Sequence, residues 1–290
     1  MRAIDHLVLP VTTLTLARSR LTSLGFKVAP DARHPFGSGN CCVFFENRTY
    51  LEPIAILDRT VADIAAATGN VFIKRLKRYA ERRKSEGFAM LALKSEDAEA
   101  DHAAFDKAGV GAAGPLEFKR VAAMPDGSEQ EIGFKLAFAE QGGARDAAFF
   151  ACQHLAPDVL FQAEYLKHPN GARGVSAVVA VAENPADFHI LLTAATGQRE
   201  LRTTSFGVEA AVDGQAIAIL TPAGFRARYG VEPPDPRRGL LFAAFDLMVS
   251  DIDAAQRRFG AAAVRHEERV VVKAAPGFGA IMAARSVDNG

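Results

Sequence analysis

The sequence predicts an α+β protein in which a β-α-β-β-β module occurs four times. Four stretches carry this prediction, because each has an apolar strand, a polar break, a helix and a small-residue stop. A chain of 290 residues is long enough for two domains. One module leaves a sheet face that a single helix cannot cover, so we expect the modules to pair into two domains with curved mixed sheets. The four stretches are residues 3–26, 87–110, 175–198 and 241–262.

The helices of the modules show helical spacing of apolar residues and recognisable ends. Glycine stands where a left-handed C-terminal cap would end three of the four helices, at Gly25, Gly109 and Gly197. The predicted helix starts are Thr12 and Thr13, Ser95 with Asp97, Asn184 before Pro185, and Ser250 with Asp251. The apolar faces comprise Leu14, Ala17, Leu21 and Leu24; Phe188, Leu191, Leu192 and Ala195; and Ile252, Ala255 and Phe259.

Short strand-like runs separated by turn residues follow each helix. The dipeptide "DG" at 213–214 is a hairpin signal in the third module. The predicted strands are 26–29, 41–46 and 50–56; 118–122, 133–138 and 147–152; 201–204, 208–212 and 216–220; and 263–266, 269–273 and 280–284.

Composition shifts along the chain predict the domain boundaries. A stretch rich in Pro and Gly separates the second and third modules and indicates a linker. Residues 71–86 form a basic amphipathic helix, whose polar face we expect in solvent. The predicted N-terminal domain spans 1–156 and contains modules 1–57 and 87–156, with a helical insert at 58–86. A linker at 157–174 follows. The predicted C-terminal domain spans 175–290 and contains modules 175–229 and 239–286.

Charge and cysteine content narrow the class of protein. Lys plus Arg equals Asp plus Glu, at 34 each, which argues against nucleic acid or an anionic membrane as partner. No apolar run approaches the roughly 20 residues of a membrane span, and the N-terminus predicts no signal peptide. The cysteines Cys41, Cys42 and Cys152 are a poor disulfide framework. We therefore expect a reducing compartment, most simply the cytoplasm.

Four segments of the first module occur in a characteristic order, "IDHLVLPV", "LGF", "RHPFGSGN" and "YLEPI", with "HPNGA" at 168–172. In these segments the chain resembles the glyoxalase-like domain family of the vicinal oxygen chelate superfamily, which includes glyoxalase I, extradiol dioxygenases and bleomycin or fosfomycin resistance proteins. The resemblance covers nearly the whole chain in architecture and residues 4–56 in sequence. It implies that paired modules form two vicinal-oxygen-chelate-type domains, each curled into a cup.

The resemblance also implies a divalent metal inside the cup, held by side chains from the first and last strands of each module. His6 matches the first-strand ligand and Glu52 the last-strand ligand, and Glu52 would also serve as the catalytic base. Imidazole and carboxylate suit Fe, Mn, Zn, Ni or Co equally.

The second module matches the ligand pattern less well. Counting back from Gly109 as from Gly25 places Met90 at the His6 position. The Glu52 position falls at Cys152 or Gln153, and we take Gln153 as a weak third ligand with His154 nearby. The equivalent first-strand residues of the third and fourth modules are Val178 and Ala244, so we expect the C-terminal half to bind no metal and to have a structural or lid role.

Three further polar residues lie near the predicted ligands. His34 and Asn40 belong to "RHPFGSGN" and are expected either in a turn or at the mouth of the cup, where they would bind ligand together with Met90 and Gln153. Asp5 neighbours His6 and should point to the opposite face of the strand.

Two main functions remain open. The first is a metal-assisted lyase, isomerase or dioxygenase acting on a small oxygen-rich molecule. The second is a metal-free cup that binds or sequesters a small molecule, which Met90 and the 20 Phe residues favour. A third, weaker hypothesis is a scaffold that binds protein through the basic helix. The repeat leaves open whether modules pair within one chain or between the chains of a homodimer.

Overall fold

Two mixed β-sheets, each built from two modules of one chain, form the frame of the molecule. The structure is a computed structural model that describes residues 1–123 and 127–286. It confirms the α+β class and the two curved mixed sheets. No helix within the described ranges is long and apolar enough to cross a membrane.

The first sheet contains the strands of the first two modules. Its strands are β1 Ile4–Pro10, β2 Ala32–Arg33, β3 Ser38–Asn40, β4 Val43–Phe44, β5 Tyr50–Ile56, β6 Met90–Ser95, β7 Leu116–Ala123, β8 Glu129–Ala139 and β9 Ala148–His154. Their order is β2-β3-β5-β1-β6-β9-β8-β7, with β4 paired to β5. The two modules join through the antiparallel pair β1 and β6, so they pair within one chain.

The second sheet repeats this plan with the last two modules. Its strands are β10 Ala172–Val181, β11 Arg202–Thr204, β12 Gly207–Val212, β13 Gln215–Leu220, β14 Leu241–Val249, β15 Ala263–His266, β16 Arg269–Val272 and β17 Ile281–Ser286. Their order is β11-β12-β13-β10-β14-β17-β16-β15, and the modules join through β10 and β14.

The helices fall into two groups by the core they enter. They are α1 Leu14–Ser23, α2 Arg59–Ala67, α3 Val71–Arg83, α4 Ala98–Lys107, α5 Pro157–Leu160, α6 His189–Thr196, α7 Pro222–Tyr229 and α8 Ile252–Phe259. The module helices α1, α4, α6 and α8 share one apolar cluster with residues of both sheets, through Leu21, Phe105, Leu191 and Phe259. This cluster forms a common core between the two sheets.

Helix α3 covers the other face of the first sheet. Its buried residues Phe72, Ile73 and Leu76 join a second apolar cluster with Val8 and Phe150. We call this covered face the N-terminal cup. The expectation of a solvated helix therefore holds only for its polar side, where Lys77, Arg78 and Arg82 pair with Asp63, Glu140 and Asp146.

Helix α7 covers the second sheet in the same manner. It follows β13 as α2 and α3 follow β5, and its Phe225 and Tyr229 pack on Val179 and Ala244. We call this covered face the C-terminal cup.

Some predicted elements differ from those in the structure. Residues 26–29 form no strand, because Phe26 leaves the sheet to pack in the common core. The predicted strand at 41–46 shortens to Val43–Phe44, and the predicted linker holds α5 and the start of β10. The division into domains at 157–174 stays a prediction.

Candidate active site

Alternation along two neighbouring strands brings His6 and Glu52 together. In a strand every second side chain faces the same side. Strands β1 and β5 run parallel with His6 opposite Tyr50 and Val8 opposite Glu52, so the His6 and Glu52 side chains share the N-terminal cup. His6 Nε2 lies 3.6 Å from Glu52 Oε2, and both residues are buried.

Glu52 is a buried carboxyl group with polar neighbours on two sides. The Asn40 Nδ2 amide donates to Glu52 Oε1 over 2.6 Å, and His34 Nε2 lies 3.7 Å from the same oxygen. Burial raises the pKa of Glu52, although the charge of His6 and the Asn40 hydrogen bond oppose the shift. Glu52 is therefore suited to exchange a proton closer to neutral pH than an exposed carboxyl group.

His34 is held in its neutral form beside Glu52. Burial lowers the pKa of His34 to about 3, and the positive charges of Arg120 and His6 add to this effect. Because the Asn40 amide donates to His34 Nε2 at 3.3 Å, the ring proton lies on Nδ1, which donates to Ser38 Oγ at 2.8 Å. The predicted polar pair of His34 and Asn40 thus lies next to Glu52 inside the cup.

We expect His34→Gln to reduce the acid sensitivity of the fold. Between pH 6.5 and about 3 the unfolded chain binds a proton at His34 that the folded chain does not. Stability therefore falls as pH decreases through this window, by up to about 1.4 kcal/mol per pH unit from this group. Urea unfolding across this range should show a smaller decline for His34→Gln than for the wild type. His189→Gln, at an exposed helix position, should follow the wild type; equal slopes for all three proteins would refute the prediction.

Asp5 lies on the same side as His6, contrary to the expectation from alternation. The pairing of β1 with β6 shifts register between Ile4 and His6, and this irregularity turns the Asp5 side chain inward. Asp5 Oδ2 accepts from His6 Nδ1 at 2.6 Å and from His154 Nε2 at 2.8 Å. Burial favours protonation of Asp5, but His154 and His6 outweigh it and hold its pKa well below the usual range. With Nδ1 bound to Asp5, His6 directs its Nε2 toward Glu52.

Strand register identifies the second-module residue that corresponds to His6. Strands β1 and β6 are antiparallel, with His6 opposite Ala92 and Val8 opposite Met90. A pseudo-two-fold axis between these two pairs exchanges the strands, so Met90 in the second module takes the place of His6 in the first. Met90 is fully buried in the cup cluster. The thioether is a soft ligand, so this position suits packing rather than a hard metal ion.

The same register corrects the position predicted for the fourth ligand. In the first module Val8 lies opposite Glu52 on parallel strands, and in the second module Ala92 lies opposite Phe150 in the same way. Phe150, rather than Cys152 or Gln153, is therefore equivalent to Glu52. Its ring lies edge-on to His6, with centroids 5.4 Å apart.

Gln153 lies outside the cup, because alternation along β9 turns it away from Cys152. Its Oε1 accepts from Ala98 N at 3.2 Å, and its Nε2 donates to Glu96 O at 2.8 Å. Gln153 thus binds the start of α4 and is not brought together with His6 and Glu52. Cys152 faces the cup, but burial, followed by the charge of Asp5, raises the pKa of its thiol well above the usual value.

Arg120 is a site residue that the sequence analysis missed. It lines the roughly 20 Å³ cavity that contains His6, His34 and Glu52, and also an adjoining cleft of about 60 Å³. Its Nε is buried without a hydrogen-bond partner among the described residues. The alternation of Phe118 and Arg120 in the predicted strand 118–122 was the available signal, since both face the same side.

His6 and Glu52 fit two positions of a metal shell. An ion about 2.1 Å from each ligand atom is compatible with their 3.6 Å separation. The ligand atoms of Asp5, His6, Cys152 and His154 also lie within 4.8 Å of one another. In that group Asp5 is already hydrogen-bonded to both imidazoles, so it fits the role of an outer partner that orients His6.

Comparisons with known proteins agree with this architecture. A family model described as a glyoxalase-like domain matches residues 4–196, more than half of the chain. A hypothetical protein from Staphylococcus aureus aligns with a TM-score of 0.71 at 10% identity, covering 99% of this chain and 100% of that one. No curated protein matches the chain.

Two enzymes of known structure share the fold. A mutant of 4-hydroxymandelate synthase from Streptomyces coelicolor has a TM-score of 0.58 at 13% identity, covering 99% of this chain and 93% of that one. The Mn(II)-bound glyoxalase from Novosphingobium aromaticivorans has a TM-score of 0.55 at 11% identity, and the alignment covers 99% of this chain and 83% of that one. At these identities the similarity shows the fold alone.

Proposed function

This chain belongs to the glyoxalase-like domain family, and we propose that its N-terminal cup is the active site of a metal-assisted lyase, isomerase or dioxygenase acting on a small oxygen-rich molecule. One observation carries the proposal. The buried Glu52 carboxyl group lies between two imidazole nitrogens, at 3.6 Å from His6 Nε2 and 3.7 Å from His34 Nε2. Such a group has the proton affinity and the neighbours that acid-base chemistry requires.

The residues of the cup have separate roles in this proposal. His6 and Glu52 would hold a divalent ion, which supplies Lewis-acid activation of two adjacent substrate oxygens when bound. Asp5 orients His6 through its Nδ1–H. Asn40 holds Glu52 Oε1, which leaves Oε2 to alternate between binding the ion and exchanging a proton with the substrate. Mn is the first metal to test, because the structurally similar glyoxalase from Novosphingobium aromaticivorans binds it.

Arg120 indicates that the substrate carries a negative charge. Arg120 lines the cavity around Glu52, and its buried Nε lacks a hydrogen-bond partner among the described residues. A carboxylate is the group that guanidinium donors bind best in such a setting. The cavity of about 20 Å³ has room for one water molecule. Substrate entry therefore requires movement of the covering side chains, among which are Phe72 of α3 and Phe118 of β7.

A metal-free binding cup is the second candidate. The observation that favours it is the strand register, which places Met90 and Phe150 at the remaining two ligand positions. Neither Met90 nor Phe150 can replace a His or Glu ligand, so only two protein ligands remain. In this case the same aromatic lining would bind a small molecule without turnover.

Metal content distinguishes the two candidates. The protein would be purified without a metal-binding tag, equilibrated with Mn, Fe, Zn, Ni or Co and measured by elemental analysis. We expect near-stoichiometric metal in the wild type and a loss of about tenfold or more in affinity in both His6→Ala and Glu52→Gln.

The control and the opposing outcome follow from the geometry. Glu52→Gln keeps an oxygen that accepts from Asn40, so its loss of metal would not reflect unfolding. His189→Ala, at an exposed helix position, should retain the metal. If the wild type binds none of the five ions, the proposed metal-assisted enzyme is contradicted and the metal-free binding cup is favoured.

A further inference from the structure

The C-terminal cup contains a buried charged network that the proposed function does not use. Asp246 on β14 is fully buried. Tyr229 Oη–H of α7 donates to Asp246 Oδ1 at 2.8 Å, and Arg228 and Arg269 each reach Oδ2 at 3.3 Å. Asp246 lies two residues along β14 from Ala244, the residue that corresponds to His6 in the fourth module.

A groove of about 480 Å³ opens at the mouth of the C-terminal cup, beside this network. It lies between the β11–β12 hairpin, α7 and the β15–β16 hairpin. Its charged and aromatic lining consists of Arg202, Phe206, Glu209, Arg228, Glu267 and Arg269. The lining carries three arginines and two glutamates, and the adjoining Asp246 carboxylate, which pairs with Arg228 and Arg269, balances the remaining positive charge.

Arg228 has hydrogen-bonding capacity left over in this groove. Its Nε is buried without a hydrogen-bond partner within the described part of the chain. Its two terminal nitrogens lie 3.3 Å from Asp246 and 3.5 Å from Glu209. Charge-assisted hydrogen bonds are usually about 2.7–2.9 Å long, so both contacts are longer than usual. A carboxylate in the groove would add a further acceptor for this guanidinium group.

Phe206 supplies an apolar surface at the rim of the same groove. Half of its surface is exposed, at 50%. The following residue, Gly207, has a φ of +149°, and a Cβ there would lie 2.1 Å from the Ile219 carbonyl oxygen. The backbone next to Phe206 is therefore held tightly against β13, and the ring is presented at a fixed place.

We propose that this groove is a second ligand site, which binds a small aromatic carboxylate. The carboxylate pairs with Arg228 and Arg202, and the ring of the ligand packs on Phe206. The site is separate from the N-terminal cup and requires no metal. Its chemistry is recognition of a planar monoanion rather than catalysis.

A single tryptophan gives a direct test, because the chain contains none. Phe206→Trp keeps an aromatic ring at the rim and places the only indole fluorophore in the groove. We expect a saturable change in its fluorescence on titration with benzoate, and none with inorganic phosphate, which carries more charge and no ring. Arg228→Gln in the same background should weaken benzoate binding by about tenfold or more.

Matched variants separate this site from general effects. Arg226→Gln removes an exposed arginine of the same helix that pairs with Glu232 at 3.1 Å, and should leave benzoate binding unchanged. Arg120→Gln, in the N-terminal cup, should also leave it unchanged. If Arg228→Gln does not fold, Arg202→Gln on the exposed rim takes its place and must weaken binding.

Three results would overturn the proposal. The first is no saturable response to benzoate. The second is an equal response to inorganic phosphate, which would indicate unselective attraction of anions. The third is a loss of benzoate affinity in Arg226→Gln as large as the loss in Arg228→Gln or Arg202→Gln. None of these results bears on the metal content of the N-terminal cup.

Discussion

Asp246→Ala is expected to lower the free energy of unfolding by about 3–5 kcal/mol. The carboxylate is fully buried and accepts from Tyr229, Arg228 and Arg269. Its removal leaves the buried Tyr229 hydroxyl group without its acceptor and reduces Arg228 and Arg269 to their contacts with Glu209 and Glu268. Equilibrium unfolding in urea, followed by circular dichroism, measures the loss.

Two further variants separate charge from general damage. Asp246→Asn retains an acceptor for Tyr229 but loses the charge. Its free energy of unfolding should therefore lie between those of the wild type and Asp246→Ala. Asp253→Ala removes an exposed partner of Arg265, 3.0 Å away, and should cost no more than about 1 kcal/mol. If Asp246→Ala costs no more than Asp253→Ala, the buried network does not stabilise the C-terminal cup.

Phe150→Ala is expected to cost about 3–5 kcal/mol through loss of packing in the N-terminal cup. The side chain is 1% exposed. Its ring packs against Phe138 at 5.3 Å and against His6 at 5.4 Å between centroids. Truncation would merge the vacated volume with the cavity of about 20 Å³ beside Glu52. The same urea unfolding assay gives the magnitude.

The enlarged cavity provides a second readout for this variant. The volume that Phe150 vacates is lined on one side by Phe72 and Phe138, so benzene should raise the unfolding midpoint of Phe150→Ala and leave the wild type unchanged. Phe150→Leu fills most of the volume and should lose less stability. A loss below about 1 kcal/mol in Phe150→Ala, without a benzene effect, would show that the cup collapses around the smaller side chain.

Much of the fold could be predicted because it depends on local periodicity. Apolar spacing along the module helices and alternation along the strands are properties of neighbouring residues, and they predicted four modules and two sheets. The family resemblance implied that His6 and Glu52 face one cup, as they do in β1 and β5. Turn chemistry predicted the "DG" hairpin, which joins β12 to β13.

Other features of the site depend on contacts between segments that are distant in sequence. The irregular pairing of β1 with β6 turns Asp5 inward, and only strand register shows that Phe150 corresponds to Glu52. Arg120 reaches the cavity because β7 lies at the edge of the same curved sheet.

Local sequence patterns predict the repeated module and the direction of most side chains along its strands, and the family resemblance adds the pair of His6 and Glu52. The Asp5 hydrogen bond, the cover formed by α3 and the charged centre of the C-terminal cup depend on tertiary packing. Side-chain direction follows the local backbone period, whereas register, burial and the electrostatic environment arise only when distant strands and helices pack together.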